Sequence, residues 1–462
     1  MMKLTNPFKN NQVPVNINGA DGLHHYQYED GSGKTRVHLR LEKDGSGMLI
    51  VNANQILHLN VTAAQMSHLF LEETPESDAI QKIRKQFKVS RKQARQDYTA
   101  IKEQLEELIH PDGACLIHDM NLEILAPFSM QPESPYRMDL ALTYRCNNDC
   151  AHCYNLEHPG PNPSTNGRSE LSTENWKKVL DKCWQLNIPH IIFTGGEPTL
   201  RSDLLELIAY AESIGQITGL NTNARRLSDK GFVDGLVKAG LDHVQITLES
   251  HNEEVHDRMV AAKGAFRQTV RGIQNVLDSS LYVMTNTTML RTNIDTIPGT
   301  LDFLAELGVP TVGLNALIHS GRGATVGNGL PEAELIPVLE TAKEKTSKAG
   351  QKLIWYTPTQ YCNLDPMALD LGIKGCTAAL YNMCIEPDGA VLPCQSYYKP
   401  LGNILVDDWD SIWNHTLSKR LRNREGLPEK CDQCLLLKEC GGGCPLQFDD
   451  IEESNKVEFS IV

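Results

Sequence analysis

The apolar positions of the first 125 residues change period along the chain. After a polar lead-in, residues 36–60, RVHLRLEKDGSGMLIVNANQILHLN, alternate apolar and polar around Asp44-Gly45, which predicts a β-hairpin. From Asn60-Val61-Thr62 the spacing becomes helical, with Ala63, Met66, Leu69 and Phe70 on one face. Glu76-Ser77-Asp78 opens a second helix that turns Ile80, Ile83 and Phe87 inward. Ser90 can cap a third, carrying Ala94, Tyr98, Ile101, Leu105 and Leu108. Strands followed by three short helices predict a small winged-helix domain over 1–125.

A Pro/Ser linker, APFSMQPESP, follows at 126–135. Between 136 and 320 the pattern alternates strand and helix. The strands are expected at 138–144, 190–194, 216–221, 243–248, 281–288 and 311–317, with helices at 173–186, 202–213, 265–278 and 294–307 among those between them. Six strands in βα order predict an α/β domain with a parallel sheet, curved into a partial (β/α)6 TIM-like barrel. Chemistry in such folds sits at the carboxyl ends of the strands. Residues 321–462 hold a helix at 331–350 and then a Cys-rich tail with little room for an apolar core, so metal clusters are expected to staple it.

Composition narrows the function. Lys+Arg is 44 against 58 Asp+Glu, a net charge of −14, which argues against nonspecific nucleic-acid binding. A local basic run, Lys82, Arg84, Lys85, Lys88, Arg91, Lys92 and Arg95, reads either as a solvated helix face or as a surface for an acidic peptide. The start shows no secretory signal and no stretch is apolar enough to span a membrane, so a cytoplasmic protein is expected. Reduced thiols are then the default. Of 13 cysteines, ten fall within 146–153 and 376–444, and only Cys115, Cys183 and Cys362 lie outside.

Cys146-x3-Cys150-x2-Cys153 sits just past the first barrel strand. Three thiolates in one loop can hold three irons of a 4Fe–4S cube, and with no fourth cysteine nearby one iron stays open. Zinc or three buried thiols are the plainer alternatives, although His152 is badly placed to complete a zinc set. One βα unit later a strand ends in Thr194-Gly195-Gly196-Glu197-Pro198, where two glycines permit close backbone approach to a ligand and a carboxylate follows.

These motifs resemble the radical S-adenosylmethionine superfamily. The resemblance implies that the cofactor's methionine amino and carboxylate groups bind the open iron, with Gly195, Gly196 and Glu197 contacting the amino group. Asn221, Thr222 and Asn223 resemble the polar end of the third strand, and Thr247 stands where related maturases often carry a serine. Those proteins often place an arginine thirteen residues later; this chain has Val260 there, and Arg258 is the candidate for the carboxylate.

The C-terminal cysteines resemble the SPASM extension of radical enzymes acting on peptides and proteins. Twelve residues separate Cys376 from Gly389 and four separate Gly389 from Cys394, followed by Cys431-x2-Cys434-x5-Cys440-x3-Cys444. The resemblance implies two auxiliary 4Fe–4S clusters, three clusters in all. Cys376, Cys394 and Cys444 go to the first, with Cys384 as fourth ligand and Cys362 as runner-up. Cys431, Cys434 and Cys440 go to the second. The usual last cysteine is absent, so that cluster takes a carboxylate from Asp449, Asp450, Glu452, Glu453 or Glu458, borrows Cys362, or keeps an open iron. A zinc ribbon of Cys431, Cys434, Cys440 and Cys444 is the alternative.

Residues 48–108 resemble the small leader-binding domain of the pyrroloquinoline-quinone chaperone type, on the hairpin, the Leu59–Ala63 turn and the amphipathic helices. Together these resemblances imply a radical S-adenosylmethionine/SPASM maturase of a ribosomally synthesised precursor peptide. Its 5′-deoxyadenosyl radical would abstract a hydrogen and lead to a thioether or other side-chain cross-link. The implied partners are the precursor, bound through its leader, and an electron donor such as flavodoxin or ferredoxin. Two other readings stay open: a radical oxidoreductase of a small molecule such as a tetrapyrrole, and an Fe–S redox sensor that binds DNA.

Overall fold

Alternation builds more of the N-terminal sheet than the hairpin alone. The computed structural model describes residues 22–30, 33–52, 55–109, 132–155 and 170–447. Cys115, residues 126–131 of the linker, and the carboxylates at 449–458 lie outside the described residues. The chain divides into two units, Met1–Met130 and Gln131–Val462.

In the first unit, β1 (Gly22–Asp30), β2 (Gly33–Leu41), β3 (Gly47–Val51) and β4 (Gln55–Leu59) form one antiparallel sheet in that order. β1 is the stretch read as a polar lead-in. It pairs with β2 along its whole length because its inward face is made of tyrosines, Tyr26 and Tyr28, which pack on the apolar core. The β2–β3 turn uses Gly45 at φ 86° while Asp44 Oδ1 accepts the Ser46 N–H at 2.9 Å. Helix α1 (Val61–Leu71) is capped by Asn60, whose Oδ1 accepts the Ala63 N–H at 2.8 Å. α2 (Glu76–Phe87) ends at Lys88 in the left-handed region, and Ser90 caps α3 (Arg91–Ile109) through the Gln93 N–H at 3.1 Å. Val37, Leu39, Leu49 and Leu59 from the sheet close on Ala64, Leu71 and Leu105 from the helices.

In the second unit six βα steps run in order. They are β5 (Arg137–Thr143), α4 (Thr173–Gln185), β6 (His190–Gly195), α5 (Leu204–Ser213), β7 (Ile217–Thr222), α6 (Lys230–Ala239), β8 (His243–Thr247), α7 (Glu253–Met259), α8 (Ala265–Leu277), β9 (Tyr282–Thr288), α9 (Ile297–Glu306), β10 (Thr311–Asn315) and α10 (Glu332–Lys348). Then come β11 (Lys352–Trp355), β12 (Asn382–Ile385), β13 (Ala390–Leu392), β14 (Gly402–Asn403), α11 (Trp409–Trp413), α12 (Thr416–Arg422) and α13 (Leu437–Cys440). The sheet order is β11-β10-β9-β8-β7-β6-β5-β12-β13-β14. It is parallel from β11 to β12 and antiparallel beyond.

The parallel run therefore has two strands more than the six expected from periodicity. β11 and β12 are four residues each, too short for a period to show. β12 inserts beside β5, pairing Cys384 with Asp139 and Ile385 with Leu140. This corrects the expectation of a tail without a core. Met383, Ile385, Val391, Leu401, Ile412 and Trp413 join the same apolar cluster as Met138, Leu140 and Phe193. The residues before β5 are likewise tied down, with the Ser134 hydroxyl donating to Leu186 O at 2.6 Å and Trp409 Nε1 to Glu133 O at 3.1 Å.

A buried histidine exposes one cost of this packing. Gly219 on β7 leaves the space that His243 on β8 fills: a Cβ there would lie 2.3 Å from His243 Nε2. Burial, and next the Arg137 charge, push the His243 pKa down to about 4. The folded chain thus refuses a proton that the unfolded chain accepts near pH 6.5. His243 contributes fully above that pH, and its contribution, on the order of 3 kcal/mol, is lost as the pH falls toward 4. Replacing His243→Met should flatten the loss of urea stability between pH 7 and 5; parallel pH profiles for the two proteins would contradict this account.

Candidate active site

The loop that leaves β5 carries Cys146, Cys150 and Cys153, and two strand ends hold it. From β6, the Gly196 N–H donates to Thr143 O at 2.7 Å and the Glu197 N–H to Arg145 O at 2.8 Å. Gly195 has φ 130°, and a Cβ on it would sit 2.2 Å from Thr143 O; one on Gly196 would sit 2.5 Å from Arg145 O and 2.6 Å from Tyr144 O. The close approach these glycines permit is therefore to the backbone of the cysteine loop, where the sequence suggested approach to a ligand.

Glu197 is fully buried and its carboxylate ties three segments together. Oε1 accepts the Thr199 N–H at 3.1 Å, the Thr199 hydroxyl at 2.6 Å and the Thr222 hydroxyl at 2.7 Å, while Oε2 accepts the Asn223 N–H at 2.8 Å. Burial raises its pKa and these donors partly offset the rise. Asn223 extends the network, donating from Nδ2 to Asn147 Oδ1 at 2.7 Å with Cys146 Sγ 4.0 Å away. Asn221 is half-buried on the same strand. Thr247 ends β8, one strand further along. Arg258 is exposed on α7 and makes no hydrogen bond or ion pair with these residues, so the structure does not gather it into the site.

Three groups with no signal in the spacing also grip the loop. The Arg225 guanidinium donates to Asn147 O and to Asn148 Oδ1, the latter at 3.0 Å. Ala224, between Asn223 and Arg225, is buried at φ 58°, a conformation that costs a non-glycine residue about 1 kcal/mol or more. Arg322, on a short turn after β10, donates to Asp149 Oδ1 at 2.7 Å and its charge favours the thiolates of Cys150 and Cys153. Glu249, buried just beyond β8, lies 3.0 Å from His152 Nε2 and accepts the Thr288 N–H at 3.0 Å. His152 is thus engaged away from the thiols.

Burial, with Glu197 next, pushes the Cys146 thiol up to about 12, and burial raises Cys150 and Cys153 as well. A metal's own charge reverses that preference when it binds. The donor set fits an iron–sulfur cube. Cys146 Sγ accepts the Asn148 N–H at 3.4 Å, the kind of contact that tunes cluster sulfurs. Among the described residues no three cysteine sulfurs lie within 4.8 Å of one another, whereas thiolates around one zinc, with bonds of about 2.3 Å, would lie closer than that.

The C-terminal cysteines form two gatherings. Cys376, Cys394 and Cys444 pack on one apolar cluster with Ala378, Ala379, Tyr397 and Leu421. Cys384 occupies an adjoining pocket with Ala141, Leu392 and Tyr398. Cys362 is placed with the other group. The segment bearing it lies against the second trio: the Tyr361 N–H donates to Cys440 Sγ at 3.4 Å, and Lys430 Nζ to Cys362 Sγ at 3.5 Å. After burial, the charges acting on Cys431 are those of Cys440, Lys430, Cys362 and Cys434. Of the two places the sequence offers Cys362, beside the first trio or beside the second, the fold sets it beside the second.

Residues 140–304 match the model of the radical SAM superfamily, and residues 376–435 that of the SPASM iron–sulfur cluster-binding domain. The chain is a radical SAM enzyme of oxidoreductase type with a C-terminal iron–sulfur domain. Its sequence is similar to the AdoMet-dependent heme synthase of Oleidesulfovibrio alaskensis, 27% identical over 323 residues, covering 65% of this chain and 80% of that protein. It is similar to the Fe-coproporphyrin III synthase of Methanosarcina barkeri, 29% identical over 65% of this chain and 81% of that protein. Its fold is that of SuiB from Streptococcus suis, solved bound to the precursor peptide SuiA, with a TM-score of 0.66, 16% identity, and coverage of 92% of this chain and 96% of that one. Among the described residues no helix is long and apolar enough to cross a membrane.

Because its clashes are with backbone atoms, Gly196→Ala should dislodge the cysteine loop. The expected outcome is loss of about four irons per chain with the far-UV spectrum intact; an unchanged iron content and cluster EPR signal would contradict it.

Proposed function

We propose that this enzyme modifies a ribosomally synthesised precursor peptide, binding its leader through the N-terminal unit and making a side-chain cross-link. The observation that carries this reading is the reach of the fold likeness. It spans 92% of the chain, against 65% for the heme-synthase sequence relatives. The first unit offers edge strands for β-addition of a leader and seven exposed Lys and Arg side chains between 82 and 95 for an acidic one. A flavodoxin or ferredoxin supplies the electron.

Cys146, Cys150 and Cys153 hold the active cluster, and Thr143, Arg145, Glu197, Asn223 and Arg225 keep its loop in place. With the Glu197 carboxylate committed to Thr199, Thr222 and Asn223, the 195–197 segment meets the cofactor's ammonium through its backbone. Thr247 adds a hydroxyl and Arg322 a positive charge beside Cys150 and Cys153. When bound, the active cluster and S-adenosylmethionine would supply the radical chemistry of hydrogen abstraction, which needs a site closed to water. Cys376, Cys394 and Cys444, with Cys384 adjacent, hold one auxiliary cluster; Cys431, Cys434, Cys440 and Cys362 hold the other. A thioether product would need an auxiliary site able to accept a substrate sulfur, and Cys376, Cys394 and Cys444 would leave room for one if Cys384 keeps to its own pocket.

The sequence relatives favour a second reading, oxidation of a tetrapyrrole. Co-expression with a neighbouring short peptide separates the two. Peptide processing gives loss of two hydrogens per cross-link, fails without residues 1–125, and leaves uncoupled 5′-deoxyadenosine formation intact in the truncated enzyme. Turnover of an iron porphyrin, equal with and without residues 1–125, would instead establish the second reading.

Two substitutions test the cluster assignment. Cys150→Ala should abolish 5′-deoxyadenosine formation and leave the auxiliary EPR signals; continued cleavage would overturn the assignment. Cys362→Ser should alter only one auxiliary signal, and spectra identical to wild type would remove Cys362 from the ligand set.

A further inference from the structure

The N-terminal unit gathers a second set of metal-ligating side chains, far in chemistry from the thiols. By the two-residue period of a strand, His24 shares the face of β1 that bears Tyr26 and Tyr28, both packed on the core. His68 and Glu72 stand one turn apart on α1, Glu72 at its C-cap. His24 Nδ1 and His68 Nε2 lie 4.0 and 3.8 Å from Glu72 Oε1, and the two imidazole centroids are 4.4 Å apart. All three ligand atoms lie within 4.8 Å of one another, which no other group of His, Cys, Asp and Glu achieves among the described residues.

These separations are too long for direct hydrogen bonds. They are about half an ångström wider than ligand spacings round a tetrahedral cation with bonds of ~2.1 Å, a gap that small side-chain rotations close. The Tyr26 hydroxyl donates to Glu72 Oε1 at 2.6 Å, the type of outer contact that aims a ligating carboxylate. The side chains are 24%, 15% and 49% exposed for His24, His68 and Glu72, so an ion can enter and keep water on its remaining positions.

We propose that His24, His68 and Glu72 bind a divalent transition cation of the zinc class, and that this ion clamps the edge strand β1 onto α1. Two imidazoles and one carboxylate suit such an ion better than magnesium or calcium, which take oxygen donors. The clamp supplies what the sequence of β1 lacks. The strand has little aliphatic surface, and a metal bond between strand and helix replaces part of that missing burial. The proposal does not depend on which substrate the enzyme uses.

The test uses the full-length protein with its clusters assembled anaerobically, equilibrated with zinc chloride and then desalted. Wild type should retain about one zinc per chain more than His68→Ala or Glu72→Gln, at unchanged iron and sulfide, and the variants should bind zinc at least about tenfold more weakly in chelator competition. The zinc X-ray absorption edge should report a nitrogen/oxygen shell without sulfur. Glu72→Gln keeps an oxygen acceptor for Tyr26, so it decides the matter even if His68→Ala misfolds. Equal zinc retention by wild type and Glu72→Gln, or a sulfur shell that places the zinc among the cysteines, would overturn the proposal.

Discussion

A carboxylate without access to water, Glu197, organises the mouth of the barrel. Burying an acid is costly unless every lone pair finds a donor. Here the donors come from its own turn, through Thr199, and from the end of the next strand, through Thr222 and Asn223. The same turn grips the cysteine loop through the Gly196 and Glu197 amides. Three chain segments are thereby held in one geometry. Such preparation is what a site needs if it is to hold a cluster with one corner left for another ligand.

The second constraint is the pairing of β12 with β5. It joins the C-terminal segment to the strand from which the cysteine loop departs. Tyr144 beside Cys146 reaches Glu386, just after β12, and Tyr154 beside Cys153 reaches Gln395, just after Cys394, at 3.3 Å. The active loop and the auxiliary cysteines are therefore parts of one packed body with a shared apolar core.

The N-terminal unit is built on a different economy of forces. Its first strand is rich in histidine and tyrosine, so tyrosine rings packed on the core and the Tyr26–Glu72 contact supply part of what aliphatic burial supplies elsewhere. Its exposed basic run from Lys82 to Arg95 is a local patch opposite in sign to the net charge of the chain.

Much was legible without coordinates, because the signals were local. The six strands β5–β10 and the helices between them repeat strong periodicities, and Asn60, Asp44 and Ser90 are caps and turns that act over two or three residues. The spacing of Cys146, Cys150 and Cys153 and the glycine pair that follows likewise speak within a few residues. Other features depend on contacts between distant segments. β12 is too short to announce itself; Arg225, Arg322 and Glu249 are ordinary residues until the loop folds against them; Cys362 gains its neighbours only when its segment packs on Cys431 and Cys440. Chemistry that resides in spacing could be read from the order of residues alone, whereas contacts between distant segments, such as Arg322 with Asp149 and Tyr361 with Cys440, had to wait for the packing that brings them together.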